Sequence, residues 1–479
     1  MEKLRTNSTE TVFWATFVFL LLVWLLNISQ YLVVASFILY VGILSLFLKN
    51  INLGLILGCI TAFCIQTGKT FSFLLLGPGA VSPERFPEGY SITATVSINQ
   101  IISLILVGII INGIISKKYS NTKILLLDLL VLGLFFGLWI SALFGSNMPE
   151  ISAIYATLAM STLIKYIFFR LNSNLISKNK KLILGLVGAI LLFEGTVSLV
   201  QTMHGSPLAK SIESQKYIEI FGQDATDETN FVFRPLGTFI HANYLGAFIV
   251  FTAPIVLALG IWKKRSTYFI IFLLSLIILG LTLSRSAWVA LLPQFFLFYS
   301  QLIKTRLKTM LEMSMSTKII ISLIVISLFF VLIFPRLIKS LDIDSSDINN
   351  GLGIRIAQIE NAIQLISLHP LFGVGSGMNV IEGYNIEPDG VMWSFPSSVH
   401  NIYILYIVEN GIFGGMIYIL ILTNIIYNLK KSTDLKVGRE KIITKGLLFG
   451  TVSVIIIGLF QPYNFLEPVL LFSTMYIKS

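Results

Sequence analysis

Four groups of residues in this 479-residue chain have the types and spacing to do chemistry. Arginines form the first. Arg234 opens the run Arg234-Pro235-Leu236-Gly237-Thr238-Phe239, Arg285 ends Thr282-Leu283-Ser284-Arg285, and Arg355 stands in a long segment rich in Asp and Asn. A guanidinium keeps its charge when partly buried, and its planar fork matches phosphate oxygens two at a time. Three of them together would suit a diphosphate headgroup. Each taken singly reads first as a snorkelling anchor or the partner of a nearby acid.

The second group is His400 in Ser397-Ser398-Val399-His400-Asn401. Its imidazole titrates near neutrality and could take a proton from an acceptor hydroxyl. No Asp or Glu lies within eight residues on either side to do the same. A lone histidine at a helix start is, on the other hand, commonly an interfacial residue. Of the remaining histidines, His241 reads as structural, His369 precedes Pro370 and should end a helix, and His204 has no constellation around it.

The third group is Gly373-Val374-Gly375-Ser376-Gly377, which has the look of a phosphate loop. No strand precedes it, so a tight turn bringing backbone close to a headgroup or a neighbouring helix is the better reading. Acids form the fourth. Asp342, Asp344 and Asp347 lack EF-hand spacing and read as a solvated linker. Glu194 and Glu409 fall inside apolar spans, where an ionisable group is a functional candidate by default. Glu409 follows His400 by nine residues, ~13 Å of helical rise, too far for direct contact.

What must position these groups is a membrane. The chain is 55% hydrophobic and only 12% charged, where a soluble domain carries about 25% charged residues, and its mean hydropathy is +0.84. The apolar spans fall at about 12–28, 31–48, 51–66, 97–115, 123–145, 151–170, 182–202, 237–262, 267–283, 287–303, 318–334, 401–427, 441–460 and 464–477. The fold class is therefore an all-α polytopic transmembrane helix bundle of about 12–14 spans. With the N-terminus inside, most of the 34 Lys and Arg fall in the inner loops and most of the acids outside. That places both termini in the cytoplasm by the positive-inside rule. The net charge of +10 thus reports topology, and a nucleic-acid partner drops out. Met1–Thr11 is mixed in charge with no small-residue cleavage site after the first span, so that span reads as retained. Cys59 and Cys64, five residues apart, point to different helix faces and imply neither a disulfide nor a metal site.

Three outer segments are long: 67–96, an irregular cap by its Gly and Pro; 203–236; and 335–400. In the last, Ile354, Ile356, Ile359, Ile363 and Ile366 predict an amphipathic helix along the membrane surface, stopping before Pro370. The parts divide into an N-terminal transmembrane bundle (1–202), a core with the outer loop (203–427) and C-terminal transmembrane segments (428–479).

Together these pieces resemble the bacterial O-antigen ligase/polymerase family. Its ligases carry His-(Asn/Ser/Gln), nine residues, then Gly-x-x-Gly; His400-Asn401, Gly411 and Gly414 match in full. The family's outer-loop Arg-x-x-x-Leu corresponds to Arg355 with Ile359. Its Arg followed by Gly-Thr-Phe and an Asn-Pro-Asn-like turn corresponds to Arg234, Gly237-Thr238-Phe239 and His241-Ala242-Asn243, where the proline is missing. Thr282, Ser284 and Arg285, and the run from His369 to Gly375, are similar too. The resemblance spans about 234–415.

It implies a GT-C-like fold and an inverting, metal-independent transfer without cofactor. The donor would be a glycan on undecaprenyl diphosphate and the acceptor a glycan or lipid-linked hydroxyl. The reaction would run at the outer face of the bacterial inner membrane, among its lipids. Arg234, Arg285 and Arg355 would grip the diphosphate, with His400 and Arg355 catalytic and Asn401, Gly411 and Gly414 supporting. A polymerase of lipid-linked repeat units is the alternative within the family. A transporter or flippase, favoured by Pro254 and Pro293 inside spans, is the alternative from another class.

Overall fold

Inside a bilayer every backbone N–H and C=O must be satisfied within its own segment, so the apolar spans close into helices. The computed structural model describes residues 2–64, 71–76, 92–119, 123–208, 210, 212–213, 233–263, 265–294 and 351–476. The first half holds α1 (Glu2–Leu26), α2 (Gln30–Phe47), α3 (Ile51–Cys64), β1 (Phe71–Leu76), β2 (Ile92–Val96), α4 (Ile98–Ile115), α5 (Leu126–Phe144), α6 (Pro149–Leu171), α7 (Ser173–Lys178) and α8 (Lys180–His204). The second holds α9 (Ala242–Lys263), α10 (Ser266–Leu281), α11 (Arg285–Gln294), α12 (Gly351–Leu368), α13 (Asn379–Ile386), α14 (Val391–Ser394), α15 (Ile402–Leu435), α16 (Gly438–Gly458) and α17 (Leu466–Ser473). Among the described residues nine helices are long and apolar enough to cross a membrane, with shorter apolar helices at Ile51–Ala62 and Ser266–Leu281. The chain is a polytopic helical membrane protein.

Three expectations change. The 464–477 span is helical only over Leu466–Ser473, about 12 Å at 1.5 Å per residue, too short to cross alone. Segment 67–96 is not wholly irregular: β1 and β2 pair antiparallel, Phe71 opposite Val96, with an irregularity between Leu74 and Leu76. The isoleucines of α12 do not form one outward stripe. Ile356 and Ile363 are exposed, Ile359 and Ile366 pack on the core, and the innermost face carries Gln358, Asn361, Ala362 and Leu365. The helix does stop at Leu368, as Pro370 requires. Asp342, Asp344, Asp347, span 318–334 and most of 287–303 lie outside the described residues.

The central helix is α9: 89% of its apolar window is buried, against 28% for α2. It packs on α8, α10 and α16. Gly446 and Gly450, one turn apart, let α16 approach closely; a Cβ at Gly446 would stand 2.7 Å from the Pro254 carbonyl oxygen. Small residues at such spacing are what van der Waals packing between membrane helices uses. The two ends of α9 differ in charge. At Lys263 gather Lys180, paired with Glu440 at 2.8 Å, Lys181 over the Trp262 ring, and Arg265 beside Glu10. The Ala242 end, about 33 Å away by helical rise, carries the candidate site.

Candidate active site

The turn before α9 is built by two polar side chains of α8, one span away. Gln201 Oε1 accepts the N–H of Gly237 at 2.9 Å while its Nε2 donates to the Gly237 carbonyl at 2.8 Å. Glu194 accepts the Thr238 N–H at 2.9 Å and the Thr238 hydroxyl at 2.6 Å. Glu194 is thus a structural clamp on Gly237-Thr238-Phe239. The turn delivers Arg234, whose Nε donates to the Thr282 carbonyl at 2.7 Å and whose Nη2 donates to Asn243 Oδ1 at 2.6 Å. Two motifs far apart in sequence are therefore direct partners. Thr282 closes α10, and Leu283 follows with φ 51°, a left-handed conformation that costs a leucine roughly 1–3 kcal/mol. That strained step redirects the chain so that α11 begins on Arg285.

The glycine run docks on a break in α15. Gly411 has φ 69° and ψ 176°, which divides the element into a short helix over 402–410 and a long one beyond. The N–H groups of Val374 and Gly375 donate to the carbonyls of Val408 and Glu409 at 2.9 and 3.0 Å, and Ile412 N–H donates to the Pro370 carbonyl at 2.9 Å. A Cβ on Gly373 would meet the Glu409 carbonyl carbon at 2.5 Å, and one on Gly411 would collide with the Leu371 carbonyl. The Glu409 carboxylate accepts the Gly377 N–H. So the glycine run is a backbone-to-helix dock, and Glu409 fastens it. Gly411→Ala should lower thermal stability by at least ~1–3 kcal/mol from the left-handed φ alone, read by size-exclusion after heating in detergent. Gly108→Ala, whose Cβ meets nothing within 4 Å, is the matched control. Equal melting of the two would mean the break is not needed.

This dock orients the start of α15. Asn401 is its N-cap, accepting the N–H groups of Tyr403 and Ile404 at 3.0 and 3.1 Å, and its amide donates to the Leu459 carbonyl. His400 stands one residue outside the cap, half-buried, with Nδ1 2.8 Å from Gln358 Oε1. Burial and then the charge of Arg355 push its pKa down to about 4. His241, read as structural from sequence, does have a structural bond: its Nδ1 accepts the Asn243 N–H at 3.0 Å. Burial first, and then the fields of Arg234, His400 and Arg355, bring it to about 4.

Arg355 is lowered by burial first and by the nearby charge of Arg285 second. Arg285 itself is exposed. Among the described residues no acid pairs with either, and no group of three His, Cys, Asp or Glu could hold a metal. The structure thus brings Arg234, Arg285, Arg355, His241 and His400 to one end of the bundle. Gly411 and Gly414 lie deeper, as framework. Reading the sequence missed Tyr463 and Gln358. Tyr463 stacks on Tyr244 with centroids 3.5 Å apart, bonds the Asn243 side chain and feels Arg234 and Arg355. Its only signal was a polar break, Gln461–Asn464, between two apolar runs.

This end of the helical bundle thus gathers cationic side chains beside an imidazole whose pKa is pushed down to about 4. Residues 270–419 match the family model described as O-antigen ligase, a stretch that contains Arg285, Arg355, His400, Gly411 and Gly414. Over this segment, about a third of the chain, the protein is similar to the O-antigen ligase family. No curated protein matches the chain.

Proposed function

We propose that the protein transfers a glycan from undecaprenyl diphosphate to an acceptor hydroxyl at the outer face of the bacterial inner membrane. The observation that carries this is the pairing of Arg285 with Arg355, mutually repelling and without acids among the described residues, beside a histidine kept neutral. Two neighbouring cations with no acid paired to them among the described residues fit a dianionic headgroup, and they stabilise the negative charge that develops as the sugar leaves. Arg234, anchored to Thr282 and Asn243, adds its field to the same end of the bundle. His400 takes the proton of the acceptor hydroxyl as the new C–O bond forms at the anomeric carbon, inverting it. The old bond to the phosphate oxygen breaks, and undecaprenyl diphosphate departs with the electron pair. The pyrophosphate is already a good leaving group, so orientation and acceptor activation are the main contributions. No step requires a metal.

The complete His-Asn…Gly-x-x-Gly pattern favours a ligase over a polymerase. The arginines lie at an end of α9 rather than at mid-membrane, which disfavours a transporter. The direct test is purified protein given an undecaprenyl-diphosphate glycan and candidate acceptors, with product and released lipid diphosphate both measured. Donor hydrolysis without transfer, or transport without either, would refute the reading.

Orientation is tested separately. Both termini and 428–441 are expected inside and 335–400 outside, supported by the basic cluster at the Lys263 end of α9. In a background lacking Cys59 and Cys64, an impermeant maleimide on spheroplasts should label a cysteine at Ser345 and spare one at Ser432. The reverse pattern would put the site on the wrong side.

A further inference from the structure

Gln358 lies on α12 three residues after Arg355, and it is fully buried. Its Nε2 donates to the Ser397 carbonyl at 3.2 Å and to Ser397 Oγ at 2.8 Å. A backbone carbonyl can only accept, so the amide nitrogen must be the atom on that side, and Oε1 must be the atom facing His400. An amide oxygen also only accepts. The 2.8 Å contact to His400 Nδ1 therefore requires the proton on Nδ1. In a neutral imidazole that leaves Nε2 with its lone pair.

We infer that Gln358 is a positioning residue: held by Ser397, it locks His400 in the Nδ1–H tautomer and leaves Nε2 as the atom that receives the acceptor's proton. This rests on the proposed role of His400 as the base. When Nε2 takes the proton, Nδ1 keeps its own and goes on donating to Gln358, so the imidazolium is held in the same orientation. Among the described residues, the charged or titratable groups whose fields couple to His400 are Arg355 on α12 and His241 before α9. Neither is an acid. A neutral amide thus fixes the tautomer without the pull of a carboxylate, and the imidazole stays uncharged until a proton arrives from the acceptor.

The chain has four histidines, which makes the tautomer directly readable. Full-length protein labelled with 15N-histidine is placed in lipid nanodiscs at neutral pH, and His400→Asn assigns the resonances. The bare nitrogen of His400 should couple to both ring carbon-bound protons, which marks it as Nε2. His241 should show the reverse, because its Nδ1 accepts the Asn243 N–H; it serves as an internal control. Gln358→Leu should mix the tautomers and lower turnover by about 10- to 100-fold, the usual scale for losing a group that orients a functional histidine, with donor KM little changed. Gln358→Glu keeps an acceptor for Nδ1–H but loses the donor to the Ser397 carbonyl, so it should restore the Nδ1–H form and only part of the turnover.

A wild-type spectrum with the proton on Nε2 would overturn the proposal, whatever the variants do. So would an unchanged tautomer in Gln358→Leu. If the tautomer shifts in that variant while turnover does not, the lock is upheld and the base role of His400 is what fails.

Discussion

Arg355→Ala is expected to lose almost all transfer activity, by about 10²–10³ in turnover, the scale of removing one donor aimed at developing charge. Arg355→Lys should recover only part, because an ammonium supplies the charge without the two-pronged fork. Neither change should reduce folded protein. Arg355 stands near Arg285 with no acidic partner among the described residues, so its removal relieves the repulsion between them. Arg170 provides the contrast. Its Nε donates to Asp128 at 3.1 Å and its Nη2 to the Lys123 carbonyl at 2.8 Å, with both charged partners mostly buried. Arg170→Ala strands Asp128 and should cost about 3–5 kcal/mol of stability. Melting curves and transfer assays on the two alanine variants should therefore separate cleanly. An Arg355→Ala enzyme of full activity would reduce Arg355 to an anchor.

The candidate site was partly legible in the sequence because its charged members break the composition around them. Arg234, Arg285, Arg355 and His400 could be named and expected together, but not the contacts that bring them together, Arg234 reaching Thr282 and the strained turn at Leu283. Gln358 was hidden for a physical reason. A helix is read from its apolar periodicity on the premise that apolar means inward. In α12 Ile356 is 50% exposed and Ile363 56%, while Gln358 and Asn361 are buried. Beside a membrane the polar face can be the inward one, since it serves the site, and the pattern then points the wrong way. The intramembrane glutamates misled in the opposite sense. Charge in a span signals function by default, yet Glu194 and Glu409 both satisfy backbone N–H groups of glycine-containing turns. The turns themselves were visible as motifs; that each motif exists to receive another was not. Gly411 and the run from Gly373 to Gly377 make sense only as a docked pair.

His400→Ala should lower turnover by about 10²–10⁴, the usual worth of general-base help, while donor binding changes far less. The pH dependence should carry the signature of its surroundings. Burial and Arg355 both disfavour the imidazolium, so the free base persists well below the ordinary histidine range, and the acid limb of kcat/KM should fall near pH 4. Bound diphosphate would offset the Arg355 charge and make the imidazolium easier to form. The acid limb of kcat, which reports the complex, should then lie at higher pH than that of kcat/KM. Stability has the same sign. The unfolded chain, with an ordinary histidine, binds its proton as pH drops below about 6.5, and the folded one resists until about 4. The folded state thus loses stability through that window. Transfer should continue in EDTA. Activity abolished by chelation and restored by Mg²⁺ or Mn²⁺ would redirect attention to Asp342, Asp344 and Asp347. Unchanged turnover with weakened donor binding in His400→Ala would make the imidazole a headgroup ligand, and a kcat/KM limb near 6.5 would place it in open water rather than beside Arg355.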